Sequence, residues 1–202
     1  MTDSTNLLDS RFHGNDNSVT EFNWFIIQAM QEIFILRHGQ AEDLNETESK
    51  NDFDRSLTPE GKDKIQKLGF LFNKLEESID IVLSSPLKRA KETAEIFVSN
   101  ITPKPELKIV DFLSSGTSCK DIAKGLLPYF QLNKIVLVGH APDLELFLGK
   151  LIGAERIKLK KGALGKIVLA NSIELSGELE WLITAKIVKK LKAKEKKIEA
   201  SA

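Results

Sequence analysis

The sequence predicts an α/β fold, a three-layer α/β/α sandwich around a mostly parallel central sheet. Three observations predict it. Short, near-continuous apolar runs such as Glu32–Arg37 and Ile135–Val138 suit strands buried on both faces. Stretches with helical apolar spacing separate these runs, and strand–helix alternation is the signature of parallel sheets covered by helices. Proline-containing cap signals, Thr58-Pro59-Glu60 and Ser85-Pro86, stand where helices should begin.

The elements follow in order. Glu32 to Arg37 is the first strand, and Leu44 to Asp54 is a polar, acidic loop. Thr58 caps a helix whose apolar face is Ile65, Leu68, Phe72 and Leu75, spaced three or four residues apart. Ile79 to Ser84 is the second strand, and a helix from Ser85-Pro86 extends to Ser99. Thr102-Pro103-Lys104-Pro105 is a loop, Leu107 to Phe112 a third strand, and Cys119 to Phe130 a third helix. Ile135 to Val138 is the fourth strand and Pro142 to Ile152 the fourth helix. Lys166 to Ala170 and Leu179 to Ile187 close the chain as a hairpin-like pair turning around Ser176-Gly177.

Composition narrows the function. The 202 residues suit one domain with a full core, plus tails. The domain is expected over residues 30–188. Met1 to Thr20 is polar, without apolar period, and Phe22 to Met30 is apolar but short, so residues 1–29 are expected to be a disordered extension, native or added by the choice of start codon. Residues 189–202 form a Lys-rich tail. Formal net charge is zero, and no aromatics interleave the tail lysines, so no nucleic-acid partner is expected. Cys119 is the single cysteine, which excludes an intrachain disulfide and a cysteine zinc site. No apolar run reaches the ~18–20 residues that span a bilayer, so no membrane partner is expected and the cytoplasm is the expected location.

Ligand sites of open α/β sheets lie beyond the carboxyl ends of the strands. Strand one ends in Arg37-His38-Gly39, strand two leads into Ser84-Ser85-Pro86-Leu87-Lys88-Arg89, and strand four ends in Gly139-His140-Ala141-Pro142. Two of the three histidines thus fall on one edge, with arginines around them. Guanidinium groups fork onto two oxygens at once, which suits phosphate. The helix starts near Pro86 and Pro142 are expected to add unpaired backbone N–H groups. No Asp-rich cluster and no Gly-rich phosphate loop accompanies the strands, so no metal and no cofactor is expected. Each piece alone reads as well as a surface turn or an ion pair, Arg55 with Asp52 for example. Their recurrence at matching places in one alternation points to a phosphoryl site.

Four segments carry a resemblance: Leu36-Arg37-His38-Gly39-Gln40-Ala41-Glu42, Asp52 to Gly61, Ser84 to Ala94, and Val138 to Leu144. Together they resemble the histidine phosphatase superfamily, with its phosphoglycerate mutase-like fold, and within it the SixA-type phosphohistidine phosphatases. The resemblance runs from about Met30 to Ile187. It implies that His38 is a nucleophile phosphorylated during turnover. Arg37 and Arg89 would clamp the phosphoryl oxygens, and His140 would stabilise the transition state. Arg55 would lie near the pocket, and Gly39 would let the backbone pass closely beneath the phosphate.

An alkoxide leaving group needs a general acid. The segment after the third strand is short, and Asp111 is its sole acid. A phosphohistidine leaving group places less demand on such an acid, which favours a phosphorylated protein as partner. The alternatives are a small-molecule phosphomonoesterase using Asp111 or Glu42, and a non-catalytic phosphate-binding module. Oligomeric state is not encoded in any feature identified in the sequence.

Overall fold

The computed structural model describes residues 31–46, 50–75, 78–171, 174–188 and 190–191. The expected extension over residues 1–29 and nearly all of the Lys-rich tail lie outside them. A six-stranded sheet forms the centre: β1 (Glu32–Arg37), β2 (Ile81–Ser84), β3 (Glu106–Ile109), β4 (Lys134–Gly139), β5 (Leu164–Asn171) and β6 (Ser176–Ile183), in the order β3-β2-β4-β1-β5-β6. The pairs β1–β4, β2–β4 and β2–β3 are parallel, whereas β5 runs antiparallel to both β1 and β6. β5 alone is therefore reversed, and the sheet is mostly parallel.

Residue alternation along the strands divides the core into two layers. Ile33, Ile35, Ile81, Leu83, Ile135 and Leu137 pack with side chains of α3 (Cys119–Leu126) and α4 (Asp143–Leu151). Phe34, Leu36, Val82, Val136 and Val138 pack on the other face with α1 (Pro59–Leu75) and α2 (Lys88–Ser99). Burial on both faces explains why these strands read as unbroken apolar runs. On the α1–α2 face Phe72 stands edge-on between Phe34 and Phe97, with ring centroids 5.2 and 5.4 Å apart.

Thr58 caps α1 as its sequence predicts, its Oγ1 accepting from the Gly61 N–H at 3.0 Å. A Cβ at Gly61 would lie 2.2 Å from the Gln40 carbonyl oxygen, so only glycine lets α1 approach the segment that follows β1. Several boundaries differ from expectation. Leu75 is exposed, because α1 ends as its stripe rotates away from the sheet. α2 starts at Lys88 rather than at Ser85-Pro86, with extended Leu87 as its N-cap. α3 stops at Leu126 and a 3-10 turn over Leu127–Tyr129 takes Pro128, which cannot continue an α-helical ladder. β3 ends at Ile109 and is a largely exposed edge strand, not a buried one. Ser176-Gly177 belongs to β6, so the β5–β6 turn falls earlier in the chain.

Candidate active site

Parallel β1, β2 and β4 deliver their carboxyl ends to one edge. Arg37 pairs with Gly139 and Ser84 with Val138 in the sheet register. The ladders extend one residue further: His38 N–H donates to Gly139 O and Ser85 N–H to Val138 O, both at 3.0 Å. His38 and His140 thereby face each other with ring centroids 5.3 Å apart. They are 6% and 2% exposed, which makes them two buried imidazoles at a sheet edge.

Hydrogen bonding fixes the His38 tautomer. Its Nδ1 lies 2.8 Å from the Gly39 carbonyl oxygen, which can only accept, so Nδ1 carries the proton. The lone pair is then on Nε2, which no hydrogen bond engages among the described residues. Burial, the neighbouring His140 and the cations Arg89 and Arg37 push the His38 pKa down to about 3, against a raising contribution from the Gly39 hydrogen bond. The ring is neutral and nucleophilic at neutral pH.

His140 is neutral for similar reasons. Burial, with Arg89 and Arg37, lowers its pKa to about 4, and Asp52 opposes them. Its Nε2 lies 2.7 Å from Ser85 Oγ. That hydroxyl oxygen also accepts from the Leu87 N–H at 3.3 Å. His140 Nδ1 is buried and has no partner among the described residues. The amide of Leu87, the N-cap of α2, is occupied by Ser85.

The arginines surround the pair. Arg89 is 5% exposed, yet its Nε has no partner. Its terminal nitrogens donate to the Asp52 backbone oxygen at 2.6 Å and to the Asp52 carboxylate at 2.9 Å. The other Asp52 oxygen meets Arg55 at 2.8 Å, and Arg55 Nε donates to Glu42 O at 2.7 Å. Asp52 therefore joins Arg55 to Arg89. Desolvation acts to raise its carboxyl, and the Arg55 and Arg89 contacts outweigh this, so the net shift is downward. Arg37 donates through Nη1 to Leu159 O at 2.6 Å, while its Nε is buried without a partner. Burial lowers its pKa, partly offset by Glu145.

Three further residues support this centre, in contacts the sequence reading did not assign. Glu145 of α4, 5% exposed, accepts from the Leu159 N–H at 3.0 Å and lies 3.9 Å from Arg37 and 3.5 Å from Arg156. Thr93 of α2 accepts from the Gly39 N–H at 3.0 Å and donates to Arg89 O at 2.6 Å, tying the His38 loop to the Arg89 helix. Ser85, which the sequence marks as a helix cap, lies against His140 instead. Glu145 was legible as a lone acid inside an apolar helix face; the site contacts of Ser85 and Thr93 give no signal before the fold is known. Gly39 lies tight beneath the site, where a Cβ would meet Ile65 at 3.1 Å and Leu57 at 3.2 Å. Asp111 sits in a 3-10 turn just beyond β3 and is exposed, with no side-chain hydrogen bond or ion pair to the histidines or arginines. Glu42 is tied by its backbone to the segment that carries Asp52, through Ser56 and Arg55.

Among the described residues no cluster of three or more His, Cys, Asp or Glu is arranged to hold a metal ion. No described helix is long and apolar enough to cross a membrane.

Comparison with known proteins agrees with this geometry. The family model "Histidine phosphatase superfamily (branch 1)" matches residues 33–113. An uncharacterized protein of Picosynechococcus sp. is 30% identical over 120 residues, covering 56% of this chain and 68% of that protein. The mitochondrial serine/threonine-protein phosphatase PGAM5 of Xenopus tropicalis is 34% identical over 89 residues, 44% of this chain. The chain spans only 30% of the length of that phosphatase. The protein histidine phosphatase SixA, solved with tungstate, superposes with a TM-score of 0.70 at 20% identity, covering 78% of this chain and 99% of SixA. The chain belongs to the histidine phosphatase superfamily, with the fold of its SixA-type members, and is a phosphatase.

Proposed function

We propose that this phosphatase is a metal-independent phosphohydrolase acting through a phosphohistidine intermediate at His38, with protein phosphohistidine as its substrate. The observation that carries the reading is a set of buried, unpartnered polar atoms around a neutral imidazole: His140 Nδ1, Arg37 Nε and Arg89 Nε. Buried N–H groups without partners are costly, about 1–3 kcal/mol each, and a bound phosphoryl group would satisfy them. With Ser85 donating to its Nε2, His140 carries its proton on Nδ1, and that N–H and the two guanidinium groups supply donors and positive charge where charge develops.

In the first displacement the His38 Nε2 lone pair forms a bond to phosphorus, and the bond to the leaving group breaks with its electron pair. Water then attacks phosphorus and the N–P bond returns its pair to Nε2. Arg37 and Arg89 hold the phosphoryl oxygens in both steps, and Arg55 with Asp52 positions Arg89. Gly39 lets the chain turn beneath the site. Two points favour phosphohistidine over an alkyl phosphate. Asp111, the candidate general acid, has no contact that aims it at the pair, and a phosphoimidazole protonated on its other ring nitrogen expels neutral imidazole without a general acid, whereas an alkoxide leaving group needs one. The likeness to SixA, described as a protein histidine phosphatase, points the same way. PGAM5 is described as a serine/threonine-protein phosphatase, which keeps ester substrates as the second reading.

The test is parallel turnover of a phosphohistidine protein, a phosphoserine peptide and para-nitrophenyl phosphate by wild type and His38→Ala, with and without EDTA. The proposal requires the highest kcat/KM on phosphohistidine, loss of all turnover in His38→Ala, and no effect of EDTA. Preference for the esters would overturn the substrate reading, and loss of activity in EDTA would overturn the metal-free one.

A further inference from the structure

A cavity of about 520 Å³ has Arg37 and Gln40, which flank the His38-Gly39 turn in the chain, in its wall. Five lysines, Lys64, Lys158, Lys160, Lys161 and Lys186, line it with Arg37, against one carboxylate, Glu60. Glu60 is already paired with Lys64 at 2.8 Å. Lys158, Lys160, Lys161 and Lys186 are exposed and have no acidic partner among the described residues. Like charges gathered in one cavity repel each other, so the arrangement stabilises the molecule only when an anion occupies it.

The lysine loop is fastened to the catalytic edge. Gly162 N–H donates to the Arg37 and His38 carbonyls at 3.1 and 3.0 Å, and Arg37 N–H donates to Ala163 O at 3.0 Å. Arg37 Nη1 holds Leu159 O. The cationic cavity is therefore held at a fixed place relative to His38.

We propose that this cavity takes acidic side chains of the protein substrate that flank its phosphorylated residue. The inference rests on the protein-substrate reading above. The chemistry of the lining selects the occupant. Its cations are almost all lysines, flexible point charges rather than the planar forks that grip a chain of phosphates bidentately. Among the described residues no aromatic side chain lines it, so they offer no platform for a nucleobase. Aspartate and glutamate side chains on an extended segment meet such a surface one charge at a time, and the gain is in encounter and register.

The experiment uses the full chain and short fluorescein-labelled peptides. One peptide is rich in Asp and Glu, the other has Asn and Gln at the same positions, and tripolyphosphate serves as competitor. Anisotropy is read for wild type and for the variant carrying Lys158→Glu, Lys160→Glu and Lys161→Glu, with circular dichroism to confirm that the exposed substitutions leave the fold intact. Wild type should bind the acidic peptide in preference to the neutral one, and charge reversal should weaken that binding by at least about tenfold. Equal binding of both peptides would overturn the proposal, and so would lysine-dependent binding of tripolyphosphate without the acidic peptide. A second arm compares phosphohistidine peptides with acidic and neutral flanks. The acidic flank should lower KM in wild type, and the advantage should vanish in the variant. If neither phosphopeptide turns over, the substrate reading falls, and the anisotropy result still decides what the cavity binds.

Discussion

Two buried neutral imidazoles make this fold sensitive to acid in a way that substitution of one of them should reveal. The perturbation is His38→Gln, which keeps a polar side chain of similar reach and removes the titration. In the folded chain the His38 pKa is about 3; in the unfolded chain it returns to ~6.5. Between these values the unfolded chain takes up a proton that the folded chain refuses, so stability falls as pH drops through the window. From pH 7 to pH 5 the unfolded-state protonation alone amounts to about 2 kcal/mol for this one residue. His38 is 6% exposed, so solvent screening discounts little of it. Urea denaturation of wild type and His38→Gln at both pH values, in phosphate-free buffer, isolates the effect, because other titrations are shared. Wild type should lose about 2 kcal/mol more than the variant on going from pH 7 to 5, or roughly 4–8 °C in melting temperature for a domain of this size. Equal losses would mean that His38 titrates normally in the folded state, and the argument for a permanently neutral nucleophile would fail.

The remaining predictions concern the residues that hold the site in place. Ser85→Ala should release the His140 tautomer and lower kcat by about tenfold or more with a smaller change in KM, and Ser85→Thr should restore it; equal effects on kcat and KM from both variants would argue for a merely structural role. Glu145→Ala breaks a buried contact with Arg37 and leaves the Leu159 amide without an acceptor, so it should destabilise the fold by about 3 kcal/mol and raise KM. Glu145→Gln keeps an acceptor for Leu159 and should recover much of the stability, read by the same urea titration, while KM stays raised.

Much of the fold was legible because β1, β2 and β4 are buried on both faces and advertise themselves as apolar runs. The reversed direction of β5 was not, since Leu164–Asn171 carries the same apolar character whichever way it runs. β3 misled for a related reason: Leu107, Ile109 and Val110 read as a core strand, but the strand lies at the sheet edge and points most of its residues to solvent. Of the site's centre, Arg37, His38 and His140 could be placed from strand ends, and Arg89 from the segment that follows β2. Their supports could not. Ser85, Thr93 and Glu145 act through contacts that span 54 or 55 positions in the first two cases and join α4 to the 156–163 loop in the third, and such contacts exist only once the sheet is assembled. Asp52 and Arg55 illustrate a reading that was incomplete rather than wrong: the local ion pair is present, and it also reaches Arg89.

The central claim is that His38 Nε2 becomes phosphorylated during turnover. Rapid quenching of a ³²P-labelled phosphohistidine protein with the enzyme, into alkaline detergent, tests it most directly, because an N–P bond survives alkali and is cleaved in acid. Label on wild type that is alkali-stable, acid-labile and maps to the peptide containing His38, with none on His38→Ala, is the predicted result. Multiple turnovers without any label on the wild-type enzyme, or label retained in His38→Ala, would contradict the account.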